Sequence, residues 1–306
     1  MRFADEQGAG APHSGDATDR EIREPPTVWR MRPAHRNGGG GVRGSLQRIY
    51  GMVLRHVYLW RRSWVRVLET AYWPTMNMVL WGFIAKFFAS NSSVVAQAPG
   101  LLITGLLLWE VLFRGQLAFA LAFLEELYSR NLGHLFVSPL RPTELIASMI
   151  AVSFLRTCVG VGAAAALAIV LYAASIFALG LPLLAFFANL LVTGWAVGLM
   201  VAALVLRYGL AAENLAWGVI FVLAPISGIY YPISVLPAWL QGVSHCLPTS
   251  YVFEGMRAVL LHSVFDWGLL FGAVALNAVY VAAGAGIFFA AFRGARQRGA
   301  LLQMGE

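Results

Sequence analysis

Charged residues set inside apolar stretches are the first candidates for chemistry. Glu110 and Arg114 lie four residues apart in one such stretch, and Arg156 interrupts the next. At i, i+4 with the glutamate first, Glu110 and Arg114 share a helix face and can pair. A charge at that depth is costly unless it finds a partner. Adjacent antiparallel helices would bring Arg156 to a comparable depth. The expectation is therefore one buried ionic cluster of Glu110, Arg114 and Arg156, either holding helices together or meeting a polar group of a bound substrate. A second pair, Glu254 and Arg257, is spaced to share a helix face in a segment punctuated by Pro232, Pro237 and Pro248.

Other chemistries find no residues to carry them. Lys86 is the only lysine and sits in Phe83-Ile84-Ala85-Lys86-Phe87-Phe88, with no glycine loop ahead of it. A phosphate-binding G-x-x-x-x-G-K-[ST] loop is thus absent. There is no H-E-x-x-H and no grouping of His or Cys ligands. Of four aspartates, Asp5, Asp16 and Asp19 fall in the polar N-terminal tail. Cys158 and Cys246 are too few and too separated for a disulfide framework. No catalytic, cofactor-binding or metal-binding residues are expected in this chain.

The elements that must position those charges are membrane helices. Hydrophobic residues make up 59% of the 306, charged residues 12%, and mean hydropathy is +0.68; a soluble domain carries about 25% charged residues. No charge occurs from Thr157 to Leu206 or from Trp267 to Phe292. Continuous apolar runs of about 20 residues read as spanning helices rather than barrel strands. Six spans are predicted, at about 71–88, 100–124, 147–173, 181–206, 215–231 and 266–292, with Pro74 in the first turn of the first.

The net charge of +7 is nearly all arginine. Twelve arginines (43, 48, 55, 61, 62, 66, 130, 141, 207, 293, 296 and 298) fall on one side of the six predicted spans. The opposite side has only Arg257 and the boundary residue Lys86. This asymmetry predicts cytoplasmic ends and argues for lipid, not nucleic acid, as the surroundings.

Residues 1–44 read as a disordered cytoplasmic tail, and 300–306 as a short cytoplasmic C-terminal tail. Between them come an amphipathic helix over 45–70 and the six-span unit over 71–299. On a helical wheel Ile49, Tyr50, Val53, Val57, Trp60, Trp64 and Leu68 gather on one side, while Arg48, Arg55, Arg62 and Arg66 gather opposite. That pattern suits a helix lying in the membrane interface. Between spans five and six, prolines delimit helical pieces at about 237–246 and 250–262, predicted as a re-entrant hairpin. The fold class is all-α membrane protein.

Two stretches carry a family resemblance. One runs Glu125-Glu126-Leu127-Tyr128-Ser129-Arg130-Asn131-Leu132-Gly133-His134-Leu135-Phe136-Val137-Ser138-Pro139-Leu140-Arg141-Pro142-Thr143-Glu144-Leu145. The other runs Pro225-Ile226-Ser227-Gly228-Ile229-Tyr230-Tyr231-Pro232 and continues through Pro237, Leu247-Pro248-Thr249-Ser250-Tyr251 and Glu254-Gly255-Met256-Arg257. Over about 45–300 the chain resembles the membrane-spanning permeases of type-2 ABC (ATP-binding cassette) exporters, with Asn131-Leu132-Gly133-His134 standing where a Gly-Thr-Leu-containing run is commoner.

The resemblance implies a permease homodimer or closely related heterodimer in a bacterial cytoplasmic membrane. It also implies separate P-loop ATPase subunits that bind the ATP and Mg. Residues 125–144, Pro139 among them, would be the loop receiving the ATPase, with Leu124, Leu127, Tyr128, Leu135 and Phe136 for apolar contact and Glu125, Glu126 and Arg130 setting orientation. Glu254 and Arg257 would form the outer side of the exit for an amphipathic, lipid-linked, glycan or drug-like substrate. The rival class is an ATP-independent carrier or membrane enzyme. A carrier would be expected to show an internal repeat, and none is visible; an enzyme would need a clustered acid or metal constellation.

Overall fold

The computed structural model describes residues 41–91, 99–129, 140–172 and 176–297, and every regular element among them is helical. The chain opens with α1 (Val42–Arg62) and α2 (Trp64–Asn91), separated only by Ser63. Ser63 is extended (φ −113°, ψ 97°), its amide donates to the Trp60 carbonyl, and its own carbonyl accepts from the amides of Arg66 and Val67. One residue thus closes one helix and opens the next. Trp64–Thr70, predicted as the end of the interfacial helix, instead forms the start of α2.

Pro74, predicted in a first turn, lies inside α2. Its ring removes the amide that would have bonded the Thr70 carbonyl. A Cβ on Gly160, in the helix packed alongside, would stand 2.9 Å from that oxygen.

Then follow α3 (Pro99–Tyr128), α4 (Pro142–Tyr172), a 3-10 turn at Ile176–Leu179, α5 (Pro182–Tyr208) and a second 3-10 turn at Gly209–Ala212. The remainder is α6 (Glu213–Ile226), a 3-10 turn at Ile233–Val235, α7 (Ala238–His245), α8 (Pro248–His262) and α9 (Trp267–Gln297). The two helical pieces predicted between the prolines are α7 and α8; Pro237 precedes α7 and Pro248 is the first residue of α8.

Among the described residues four helices are long and apolar enough to cross a membrane: Gly100–Tyr128, Pro142–Tyr172, Pro182–Tyr208 and Trp267–Gln297. The other two predicted spans differ in kind. Residues 71–88 lie in α2, which also carries Arg66, Glu69, Asn77 and Lys86. Residues 215–231 overlap α6, whose 14 residues reach about 21 Å against a hydrocarbon core of about 30 Å.

The packing centre is α3, touched by α2, α4, α5, α6 and α8. Leu107, Leu108, Leu112, Phe119, Phe123 and Leu124 along it are buried almost completely. Close approach on the α5 and α9 side depends on glycine. A Cβ on Gly194 of α5 would lie 2.9 Å from the Leu112 carbonyl, and one on Gly284 of α9 would lie 2.8 Å from that of Ala196. In apolar surroundings, where helices gain nothing from excluding water, such backbone contact is a main source of association.

A polar knot reinforces the α5–α9 seam. Thr193 Oγ1 donates to Asn277 Oδ1 at 2.7 Å, and Asn277 Nδ2 donates to the carbonyl and Oδ1 of Asn189 at 3.0 and 2.9 Å. Gly194→Leu should destabilise the protein by about 1–3 kcal/mol, read as a lower thermal midpoint in detergent. Gly218→Leu, where a Cβ meets nothing within 4 Å, should leave the midpoint unchanged.

Candidate functional site

Between the start of α2 and the middle of α3 lies a cavity of about 280 Å³. The α3 wall is Arg114, Leu117, Ala118, Leu121 and Glu125, spaced three or four residues apart and so on one helix face. Arg66, Glu69, Thr70 and Trp73 come from α2, Trp60 from α1, Arg156 from α4 and Trp217 from α6. Trp60 folds over the start of α2, its indole N–H 3.3 Å from both the Arg66 carbonyl and Thr70 Oγ1. That reach exists because the chain breaks at Ser63.

The predicted cluster of Glu110, Arg114 and Arg156 is two pairs instead. Arg114 Nε meets Glu110 Oε2 at 3.3 Å, and Asn77 Nδ2 of α2 donates to the other Glu110 oxygen at 2.9 Å. With both Glu110 oxygens engaged, Arg156 turns to Glu125, its Nη2 lying 3.2 and 3.1 Å from the two carboxylate oxygens. Arg114 and Arg156 share the cavity but not a counter-ion.

Of the residues expected to face a docking partner, Leu124, Leu127 and Glu126 are buried, Glu125 is half-buried against Arg156, and Tyr128 is exposed. Glu126 is 1% exposed, with Arg55 Nη1 at 3.0 Å and His56 Nε2 at 3.3 Å. Across the 130–139 connection, Glu144 at the start of α4 is 3% exposed. It takes a two-pronged grip from Arg48 (Nε to Oε2 2.8 Å, Nη2 to Oε1 2.6 Å) and a bond from Ser45 Oγ at 2.7 Å. The seam of α1 on the bundle is therefore Ser45, Arg48, Met52 and His56, at helical spacing. Arg48 and Arg55, placed on the solvated face by the sequence pattern, hold carboxylates, while Leu46, Tyr50 and Tyr58 are left exposed. Arg130, Leu135, Phe136 and Pro139 lie outside the described residues.

At the far end Glu254 and Arg257 do pair, at 3.0 Å, and the pair clamps backbone. Arg257 is buried and donates to the Gly228 carbonyl at 2.6 Å, at a turn that Gly228 makes with φ +70°. Glu254 Oε1 accepts the Ile233 amide at 2.9 Å. Burial works against the Glu254 carboxylate, but the bonds from Arg257 and Ile233 outweigh it and hold its pKa below the usual value. Ser244 Oγ donates to the Ile226 carbonyl and Thr249 Oγ1 to Ser227 Oγ, closing α7 and α8 onto the end of α6. Pro232, Pro237 and Pro248 start the short helical pieces.

Among the described residues no His, Cys, Asp or Glu cluster could hold a metal ion. Sequence reasoning missed Asn77, His56, Trp73 and Trp217, and read Trp60 only as part of the apolar face of the interfacial helix. Asn77 alone left a trace, as a polar residue inside an apolar run.

Two substitutions check this geometry. Combining Glu126→Gln with Glu144→Gln should free α1, raising tryptic cleavage at Arg55, Arg61 and Arg62 about fivefold or more in detergent. Arg257→Met should cost about 2–3 kcal/mol through the unpaired Gly228 carbonyl and Glu254, again measured as a thermal midpoint.

No curated protein matches the chain. The family model for the ABC-2 type transporter matches residues 56–261, from within α1 to the last turn of α8. With well over half of its length matched, the chain belongs to the ABC-2 type transporter family and is a multi-pass membrane subunit of an ABC transporter.

Proposed function

We propose that the chain is the permease of an exporter, moving an amphipathic, lipid-linked, glycan or drug-like substrate out of the cytoplasm. ATP is bound with Mg and hydrolysed on a separate P-loop subunit, and this chain supplies no covalent chemistry. Two permease copies, or two closely related ones, form the pathway between them in a bacterial cytoplasmic membrane. In this reading α2 and α6 complete six spans, α6 being extended by the segment that α7 and α8 clamp as a re-entrant hairpin. Both ends of the chain are then cytoplasmic, which agrees with the arginine asymmetry. Leu46, Tyr50 and Tyr58 are exposed on α1, as an interfacial helix requires.

The observation that carries the proposal is the clasp around residues 130–139. The helix ends that flank this connection each present a buried carboxylate, Glu126 and Glu144, and both are held by α1. A force applied to the connection by a closing ATPase reaches α1, α3 and α4 together. A loop hung on unpinned helix ends would absorb the same push by bending. Glu125, Glu126 and Glu144 then transmit force, while Arg130, Leu135, Phe136 and Pro139 supply the outward contact.

Co-expression with the ATP-binding subunit separates the two roles. Leu135→Asp with Phe136→Asp should abolish co-purification of the ATPase. Glu126→Gln should retain it and lower substrate-stimulated transport about tenfold, measured in proteoliposomes. Full transport by the Glu126 variant would remove the clasp from the mechanism.

A further inference from the structure

The polar groups around the cavity beside the α1–α2 break are of two kinds. Arg114 and Arg156 are already paired, with Glu110 and Glu125. The Thr70 hydroxyl is taken up as well, donating to the Arg66 carbonyl at 2.8 Å and accepting the Trp60 indole N–H at 3.3 Å. Arg66 and Glu69 differ. Both line the cavity and both are exposed. Among the described residues neither side chain makes a hydrogen bond or an ion pair. They lie in the first two turns of α2, just ahead of the predicted span 71–88.

These two free groups set what the cavity can take. Three guanidinium groups stand against three carboxylates, counting Glu110 behind Arg114, so the surroundings carry no net charge. Arg66 offers only donors and Glu69 only acceptor oxygens. A ligand with a single charge would satisfy one and repel the other. Hydroxyl groups donate and accept at once, and so satisfy both without bringing a charge.

The rest of the wall is apolar and aromatic, with Trp73 and Trp217 53% and 39% exposed. Indole faces are negative. They favour the weakly positive C–H bonds of a sugar ring and disfavour the anionic end of a zwitterion. At about 280 Å³ the space falls just under the range for drug-sized ligands, roughly 300–1,000 Å³, and suits one sugar unit rather than a glycan chain.

We propose that this cavity binds the neutral sugar headgroup of an amphiphile, with Glu69 accepting from and Arg66 donating to its hydroxyls while the indoles of Trp73 and Trp217 cover its C–H faces. The inference rests on the exporter reading and narrows the cargo to one with a sugar at its polar end. Sugar retention is measured without an ATPase. Its loss would leave the coupling role of residues 125–144 standing, and a failed co-purification of the ATPase would leave sugar binding standing.

The test is native mass spectrometry of the full-length chain in a polyoxyethylene detergent. The chain is titrated separately with glucosyl dioleoylglycerol, dioleoylglycerol and dioleoylphosphatidylethanolamine. The glucosyl lipid should be retained about tenfold more tightly than either of the others. Glu69→Ala and Trp73→Ala should each weaken its retention about tenfold. Trp64→Ala, 73% exposed on α2 and away from the cavity, should not.

The Glu69 side chain is exposed and unbonded, so Glu69→Ala should keep the native thermal midpoint; Arg66→Ala replaces it in the comparison if it does not. Equal retention of the glucosyl lipid and dioleoylglycerol overturns the proposal, as does unchanged retention in the Glu69 and Trp73 variants. Equal retention of the phosphatidylethanolamine would make this a site for zwitterionic headgroups and overturn the sugar assignment.

Discussion

Burying α3 on nearly every side is the constraint from which the rest of the architecture follows. Of its apolar stretch 94% is inside the fold, against 22% for α9. Yet α3 carries Glu110, Arg114, Glu125 and Glu126. A charge removed from water must be met by an opposite charge or by hydrogen bonds, because a lone one costs several kcal/mol or more. Asn77 comes from α2, Arg156 from α4, and Arg55 and His56 from α1. The helices that surround the charged face of α3 are those that bring counter-groups. The opposite face, toward α5, needs none and packs backbone on backbone at Gly194.

The two faces differ mechanically as well. Contacts at Gly194 and Gly284 are short and of one shape, and a small slide would drive a side chain into a carbonyl. Ion pairs at the ends of long side chains follow their partners through several ångströms by rotamer changes. The fold therefore combines a tight block, α3 with α5 and α9, and a more compliant layer of α1, α2 and α4 held on by charges. The cavity sits within the compliant layer, where a change in helix spacing would alter its width first.

How much of this was legible beforehand divides along the same line. Long apolar runs, uncharged through most of α5 and α9 and interrupted by few charges in α3 and α4, read directly as these four helices, because a spanning helix is specified by composition alone. The prolines at 237 and 248 marked the starts of α7 and α8, since each removes a donor that a helix interior needs. Partners of charges were far less legible. The spacing of Glu110 and Arg114 shows a shared face but not which helix lies against it, so Asn77 took the position given to Arg156. On α1 the basic stripe suggested water, whereas Glu126 and Glu144, some 70 to 100 residues away, turn its edge into a binding seam. Pairing across that separation is fixed by how helices pack, which no local pattern records.

The break at Ser63 shows how small such a missing determinant is. No glycine or proline marks it, and the helical wheel runs on through Thr70 without interruption. The structure instead lets Ser63 end one helix with its amide and begin the next with its carbonyl. A continuous helix would carry Trp60 past the start of α2 on a straight axis, with no means of bonding the Arg66 carbonyl and Thr70. The turn folds the indole back beside the cavity between α2 and α3, which Arg114 and Arg156 also line. A single extended residue at the boundary between two helices thereby decides whether the buried charges of this protein face only each other or also an open space.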